Sequence, residues 1–415
     1  MKRYFTMSLT LFSFSAINVL TYLFLGIILG NTAYSEIFSL TYPLQFAVVI
    51  LLNLFVSASC IRSNKENNSN CVTSGMLLGL LFGATIFGLV AGFIDGYITF
   101  MNMDTAIYHN FALMSVGQLF FAFINNMVAE RMYFLGQDKK ANLVSLGFIL
   151  LNFVSVILTA LCTKNQLIIV FVNLGSLLIY TAVWFALSLK KFKFEFSIVK
   201  NFRLESLSLV SNIFMLIIYL FGYSTAFSFG AQYVISLNFV NLVTDPQWDA
   251  FDSISKIAKI DISNSNYNYK KAMKDSIVIT IFYILSSVVL FFALFKVFNV
   301  TLWIGLVCLG IQAIDMFIYA FKSNSQTFLQ LEYSASKSTT VNLVCKIVRT
   351  VLSVFIINPF NTNIAQLVAG FMSFLIFEII RVKTFKVDKD GTLVLREKVK
   401  KPNKISQPEN EKTEL

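Results

Sequence analysis

The sequence predicts an all-α integral membrane protein: twelve transmembrane helices in two homologous six-helix lobes. Three observations carry this. Hydrophobic residues make up 56% of the 415 and charged residues only 13%, with a mean hydropathy of +0.71. A soluble domain carries about a quarter charged residues, so most of this chain is dissolved in lipid. The apolar residues fall into twelve stretches of bilayer-spanning length, and short tracts recur with a period of about 200 residues.

The spans read from the sequence are 8–30, 37–61, 72–94, 106–131, 141–162, 166–189, 206–228, 232–260, 275–295, 300–323, 340–358 and 363–382. Lys2 and Arg3 before the first apolar run resemble a signal peptide. No small-residue cleavage site follows, so this run is read as an uncleaved first helix. If the first helix starts inside, the outer loops hold only Lys164 and Lys296 of the 33 basic residues, while Arg62, Lys65, Lys139, Lys140, Lys270, Lys271, Lys274 and the basic tail fall inside. That asymmetry places both termini in the cytoplasm of a multi-pass protein of the cell membrane. It also accounts for the net charge of +11 without any nucleic-acid partner.

The repeat divides the chain. Tyr22-Leu23-Phe24 in the first span has a counterpart in Tyr219-Leu220-Phe221 of the seventh, and Asn142-Leu143-Val144 opening the fifth matches Asn342-Leu343-Val344 opening the eleventh. The prolines within helices, Pro43 and Pro246, fall in the equivalent second and eighth spans, where each breaks a backbone hydrogen bond and marks a kink. The expected organisation is an N-terminal lobe 1–189, a linker 190–205, a C-terminal lobe 206–382 and a disordered basic tail 383–415. Six helices per lobe is an even number, so the lobes share one orientation and are related by an axis along the membrane normal. Gly75, Gly79 and Gly83 in the third span, at small-xxx-small spacing, read as a packing face.

Several classes are excluded. The five Cys form no CxxC pair and no cluster with His109, the single histidine, so no metal site is expected. There is no GxxxxGK[ST], no GxGxxG at a strand–helix junction and no GxSxG. No cofactor and no enzymatic activity are expected.

Polar residues inside the spans are the functional candidates, because ionisable groups there are expensive and face a protein interior or water. In the eighth span Asp245, Asp249, Asp252, Lys256 and Lys259 fall on one helix face within a stripe of about 80°. The stripe reads either as a carboxylate cluster lining a cavity or as a salt-bridge ladder in which Lys256 and Lys259 neutralise the lower two Asp. The tenth span carries Gln312, Asp315, Tyr319 and Lys322 at spacing 3, 4, 3. Asp315 suits a proton or Na⁺ site or, equally, a structural pair with Lys322. Gln118 and Asn125 share a face of the fourth span, Glu130 stands where that span leaves the membrane, and Asn18 and Asn212 lie in the first and seventh spans.

Two junctions, Ala129–Phe153 (AERMYFLGQDKKANLVSLGFILLNF) and Ala258–Ser276 (AKIDISNSNYNYKKAMKDS), carry a resemblance to the multidrug and toxic compound extrusion (MATE) family within the multidrug/oligosaccharidyl-lipid/polysaccharide flippase superfamily. The resemblance implies two helix bundles alternating between outward- and inward-open forms, exporting organic cations in exchange for H⁺ or Na⁺. One branch of the family uses an acid in the first helix, where this chain has Asn18. Another pairs an acid in the seventh helix with one in the tenth; the span 206–228 has none, while Asp315 is present. The expected function is a cation-coupled antiporter of organic cations or drugs, acting as a monomer on a small-molecule or lipid-linked substrate. The alternative is a flippase for a lipid-linked oligosaccharide or other anionic precursor, which would draw on Lys256, Lys259, Lys346 and Arg349. A non-transporting membrane scaffold or receptor is the remaining class, and it would gain nothing from buried carboxylates.

Overall fold

The computed structural model describes residues 2–30, 37–100, 104–189, 193–229, 231–296, 300–355 and 360–396. Its helices are α1 (Lys2–Leu29); α2, which runs Ile37–Leu51, widens through a π-helical turn at Leu52–Ser57 and ends as Ala58–Glu66; α3 (Asn70–Gly92), followed by a short helix Ile94–Phe100; α4 (Thr105–Phe134); α5 (Asp138–Cys162); and α6 (Gln166–Ser188). The second half comprises α7 (Ile198–Phe229), α8 (Ala231–Ser263), α9 (Tyr269–Leu294), α10 (Leu302–Phe328, extended by a π-helical turn Leu329–Tyr333), α11 (Ala335–Phe355) and α12 (Asn361–Thr384). Among the described residues, eight helices are long and apolar enough to cross a membrane.

Local chemistry sets the helix ends. Asp104, Asn165 and Asn268 cap α4, α6 and α9, each side chain accepting from a backbone N–H of the first turn. Gly136, at φ 72°, turns the chain between α4 and α5 in a left-handed conformation that glycine adopts without strain. Along α5 the lipid-facing side is Leu143, Leu150, Leu158 and Leu161, while Asn142, Phe148, Asn152 and Ser155 turn inward. On α3, a Cβ at Gly75 would stand 2.1 Å from the Phe55 carbonyl oxygen, so the glycine lets α3 touch the backbone of α2.

The duplication is visible in the packing. Within the first half α1 packs on α5, α2 on α4, α3 on α4, α4 on α6 and α5 on α6; within the second α7 packs on α11, α8 on α10, α9 on α10, α10 on α12 and α11 on α12. The lobes meet symmetrically as well, α1 against α8 and α2 against α7. Lys2 and Thr384, the ends of the helical part, lie on one face, which we call the terminal face. There Arg3 of α1 binds Asp138 of α5 and Asp261 of α8, each at 2.8 Å, and Lys65 of α2 reaches Glu332 at 3.2 Å.

Two boundaries differ from the sequence expectation. Helix α7 starts at Ile198, inside the expected linker, because Asn201, Glu205 and Ser208 continue its buried face. The expected disordered tail is ordered at its start: strands β1 (Phe385–Val387) and β2 (Leu393–Leu395) pair antiparallel. The hairpin docks on the α8–α9 junction, where Asn268 donates to the Asp390 carbonyl and the Lys270 N–H to that of Gly391, while Phe385 packs on Phe328 and Tyr333. Residues 397–415 lie outside the described residues.

Candidate functional site

The C-terminal lobe buries a charged cluster between α10, α11 and α12. Asp315, 7% exposed, accepts from Gln366 Nε2 at 2.6 Å, and the Gln366 oxygen accepts from Arg349 at 2.7 Å. Lys322 and Lys346 also bear on Asp315. Three basic side chains from α10 and α11 thus bear on one carboxylate. Gly370 on α12 makes room for that carboxylate, since a Cβ there would stand 2.4 Å from Asp315 Oδ1.

Next along α10, Lys322 lies over the Tyr319 ring at 5.5 Å, and Tyr319 packs edge-on against Trp248 and stacks on Phe251 of α8. The Tyr319 hydroxyl faces Asp252. Gln312 ties the two helices together. Its oxygen accepts from Trp248 Nε1 at 2.9 Å and Thr244 Oγ1 at 3.3 Å, and its nitrogen donates to Asn241 at 2.9 Å.

The N-terminal lobe buries amides instead. Gln118 of α4 donates to Asn173 of α6, and Asn173 donates to Asn152 and Ser155 of α5 at 2.9 and 2.8 Å. Asn125 is 1% exposed, and neither of its amide atoms has a hydrogen-bond partner among the described residues.

Of the sequence candidates, the structure brings Asp252 to Tyr319 and groups Asp315 with Lys322, Lys346 and Arg349. Asp245 is buried on α8, and Asp249 is half-buried one turn on. Gln118 and Asn125 remain in the other lobe. Asn212 donates to the Ser208 carbonyl, and Asn53 of α2 donates to the Ser208 hydroxyl, so this group joins the lobes. Pro246 lies within α8 and Pro43 within α2; the side chains of Pro43 and Asn18 lie outside the described residues. His109 is an exposed partner of Asp95 at 2.6 Å, on the face opposite the termini.

Lys256 and Lys259 both act on Asp252, as the ladder expects, and Lys259 has a second carboxylate besides. Lys259 pairs at 2.9 Å with Glu205, fully buried on α7, and Ser57 of α2 donates to the same carboxylate at 3.0 Å. The seventh helix thus does carry an acid. Asn201, Glu205, Ser208 and Asn212 follow at 4, 3 and 4, a helical signal in the sequence that a linker reading passes over.

No protein-family model matches the chain, and no curated protein matches it by sequence. Solved structures do. A MOP superfamily transporter from Pyrococcus furiosus, described as having reverse polarity of the binding pocket suggesting a different function, matches with a TM-score of 0.69 at 16% identity over 91% of this chain and 95% of that one. An outward-facing multidrug resistance MATE transporter of the same superfamily matches at 0.68, 16% identity and the same coverage. A MATE protein in its bent conformation matches at 0.68 and 18% identity over 91% and 94%. The chain has the MATE fold.

Proposed function

We propose that this chain is a secondary transporter whose two lobes expose a shared pathway alternately to the two sides of the membrane, and whose cargo carries negative charge, such as a lipid-linked sugar precursor. The observation that carries the cargo assignment is the grouping of three basic side chains, Lys322, Lys346 and Arg349, around Asp315. Basic side chains held inside a membrane protein are costly to insert, and a phosphate or carboxylate entering beside them gains charge-assisted hydrogen bonds. Asp315 and Gln366 then hold the cations in place until cargo arrives. The same cations repel Na⁺, so the coupling ion in this reading is H⁺. The lysine and arginine distribution supports a plasma-membrane orientation with the terminal face in the cytoplasm.

A second reading, export of organic cations, is favoured by the α8 stripe, in which buried Asp245 and half-buried Asp249 and Asp252 would meet the cargo. Proteoliposomes with an imposed pH gradient separate the two. The expected result is movement of a polyprenyl diphosphate-linked sugar and none of a lipophilic phosphonium; the reverse result supports the second reading.

A further inference from the structure

The lobe boundary near the terminal face holds a carboxylate that the proposed cargo site does not use. Glu130 of α4 is 7% exposed, and its Oε2 atom has no hydrogen-bond partner among the described residues. Across the boundary Glu205 of α7 is satisfied on both oxygens, by Lys259 Nζ of α8 at 2.9 Å and by Ser57 Oγ of α2 at 3.0 Å. Ser57 also faces Glu130, so one hydroxyl stands between two carboxylates.

A serine hydroxyl owns one proton and two lone pairs. With its proton given to Glu205, Ser57 offers Glu130 only lone pairs, and an ionised Glu130 meets acceptor with acceptor. A protonated Glu130 instead donates to Ser57 Oγ and completes a chain from Glu130 through Ser57 and Glu205 to Lys259. The cluster has a place for one more proton. The other groups facing Glu130 are Lys256 and Lys259 from α8 and Cys60 from α2, with Asp252 beyond the two lysines. Arg131, next on α4, turns away to the Ser188 carbonyl and the Met76 sulfur.

We propose that Glu130 and Glu205 form a proton-binding site shared between the lobes. One proton on the Glu130 side of Ser57 holds the lobes together at the terminal face. When it leaves to water, the ionised carboxylate gains solvation only if the lobes part, so deprotonation favours opening there. Ser57 and Glu130 belong to one lobe and Glu205 and Lys259 to the other, so every opening of this face breaks the chain. The site rests on the two-lobe transporter reading for its role in coupling, while its test needs no cargo.

The test is a distance measurement on the purified full chain in lipid nanodiscs. Spin labels go at Lys140→Cys on the first lobe and Lys337→Cys on the second, both exposed, with exposed Cys162 changed to Ser and the other four cysteines left buried. Pulsed dipolar spectroscopy between about pH 5.5 and 8.5 then reads the separation. The wild type is expected to shift to longer distances as pH rises, and Glu130→Gln, neutral at every pH, to stay at the short distance throughout. A wild type with one distance at all pH values, or a Glu130→Gln variant that follows the wild-type response, overturns the proposal. If Glu130→Gln does not fold, Ser57→Ala serves: its transition midpoint is expected to move by about one pH unit, and an unmoved midpoint overturns the site. A protein that shows this response but carries neither cargo probe keeps the proton site and loses the transport reading.

Discussion

The two lobes place different chemistry at equivalent positions of one frame. Gln118 and Asp315, and Asn173 and Gly370, are each 197 residues apart, the same offset that relates Tyr22 to Tyr219, and Arg349 lies within one turn of the position opposite Asn152 when Asn142 is matched to Asn342. They lie on α4 and α10, α5 and α11, and α6 and α12. In the first lobe three amides close on one another as a neutral network. In the second the corresponding region holds a carboxylate and a guanidinium, and the space freed at Gly370 is the space Asp315 occupies. Neutral amides joining helices in lipid are worth about 0.6 kcal/mol per contact and serve as glue. Charges in the same place are retained at a cost, which points to work done on a ligand. In the proposed reading the amide network of the first lobe serves as a frame and the charged cluster of the second receives the cargo.

The largest expected effect that sharpens this contrast is Asp315→Asn. It strips the counter-charge from Lys322, Lys346 and Arg349, and breaking a buried charge cluster costs about 3–5 kcal/mol. The equivalent Gln118→Ala removes one neutral partner and costs about 1–2 kcal/mol. Denaturant unfolding in detergent reads both, and equal losses would dissolve the distinction between the lobes. A smaller effect is expected of Gly370→Ala, whose methyl displaces a carboxylate held by Gln366. The loss is about 1–3 kcal/mol of stability, and binding of an anionic ligand weakens with it. Gly117→Ala in the first lobe meets only the flexible end of Leu174 and is expected to stay within about 1 kcal/mol. No effect on ligand binding is expected of Asn173→Ala, which costs about 1–2 kcal/mol of stability. A loss of binding in that variant would move the site into the first lobe.

The helices were legible because lipid demands long apolar runs, and each of the twelve expected spans overlaps a helical tract among the described residues. What the runs could not show was where a helix outlives its membrane segment. Ile198–Glu205 is polar enough to read as linker, yet it is the start of α7, and Glu205 within it is fully buried. Lys259 and Glu205 are 54 positions apart, beyond any local periodicity, so the helical spacing around Lys259 suggested Asp252 as its partner instead. The β-hairpin was missed for a related reason: strands of three residues leave too short an alternation to read. Asp315 was legible as a buried acid. Its surroundings were not, because Gln366, Arg349 and Lys346 come from two other helices.

The central claim is that the second lobe receives negative charge. Equilibrium binding of a polyprenyl phosphate to the purified protein, wild type against Lys346→Gln and Arg349→Gln, tests it most directly. The account predicts saturable binding by the wild type that weakens by about tenfold in each variant, the effect of losing one charge-assisted hydrogen bond. Unchanged affinity in both variants, or binding of a lipophilic cation in place of the phosphate, would contradict it.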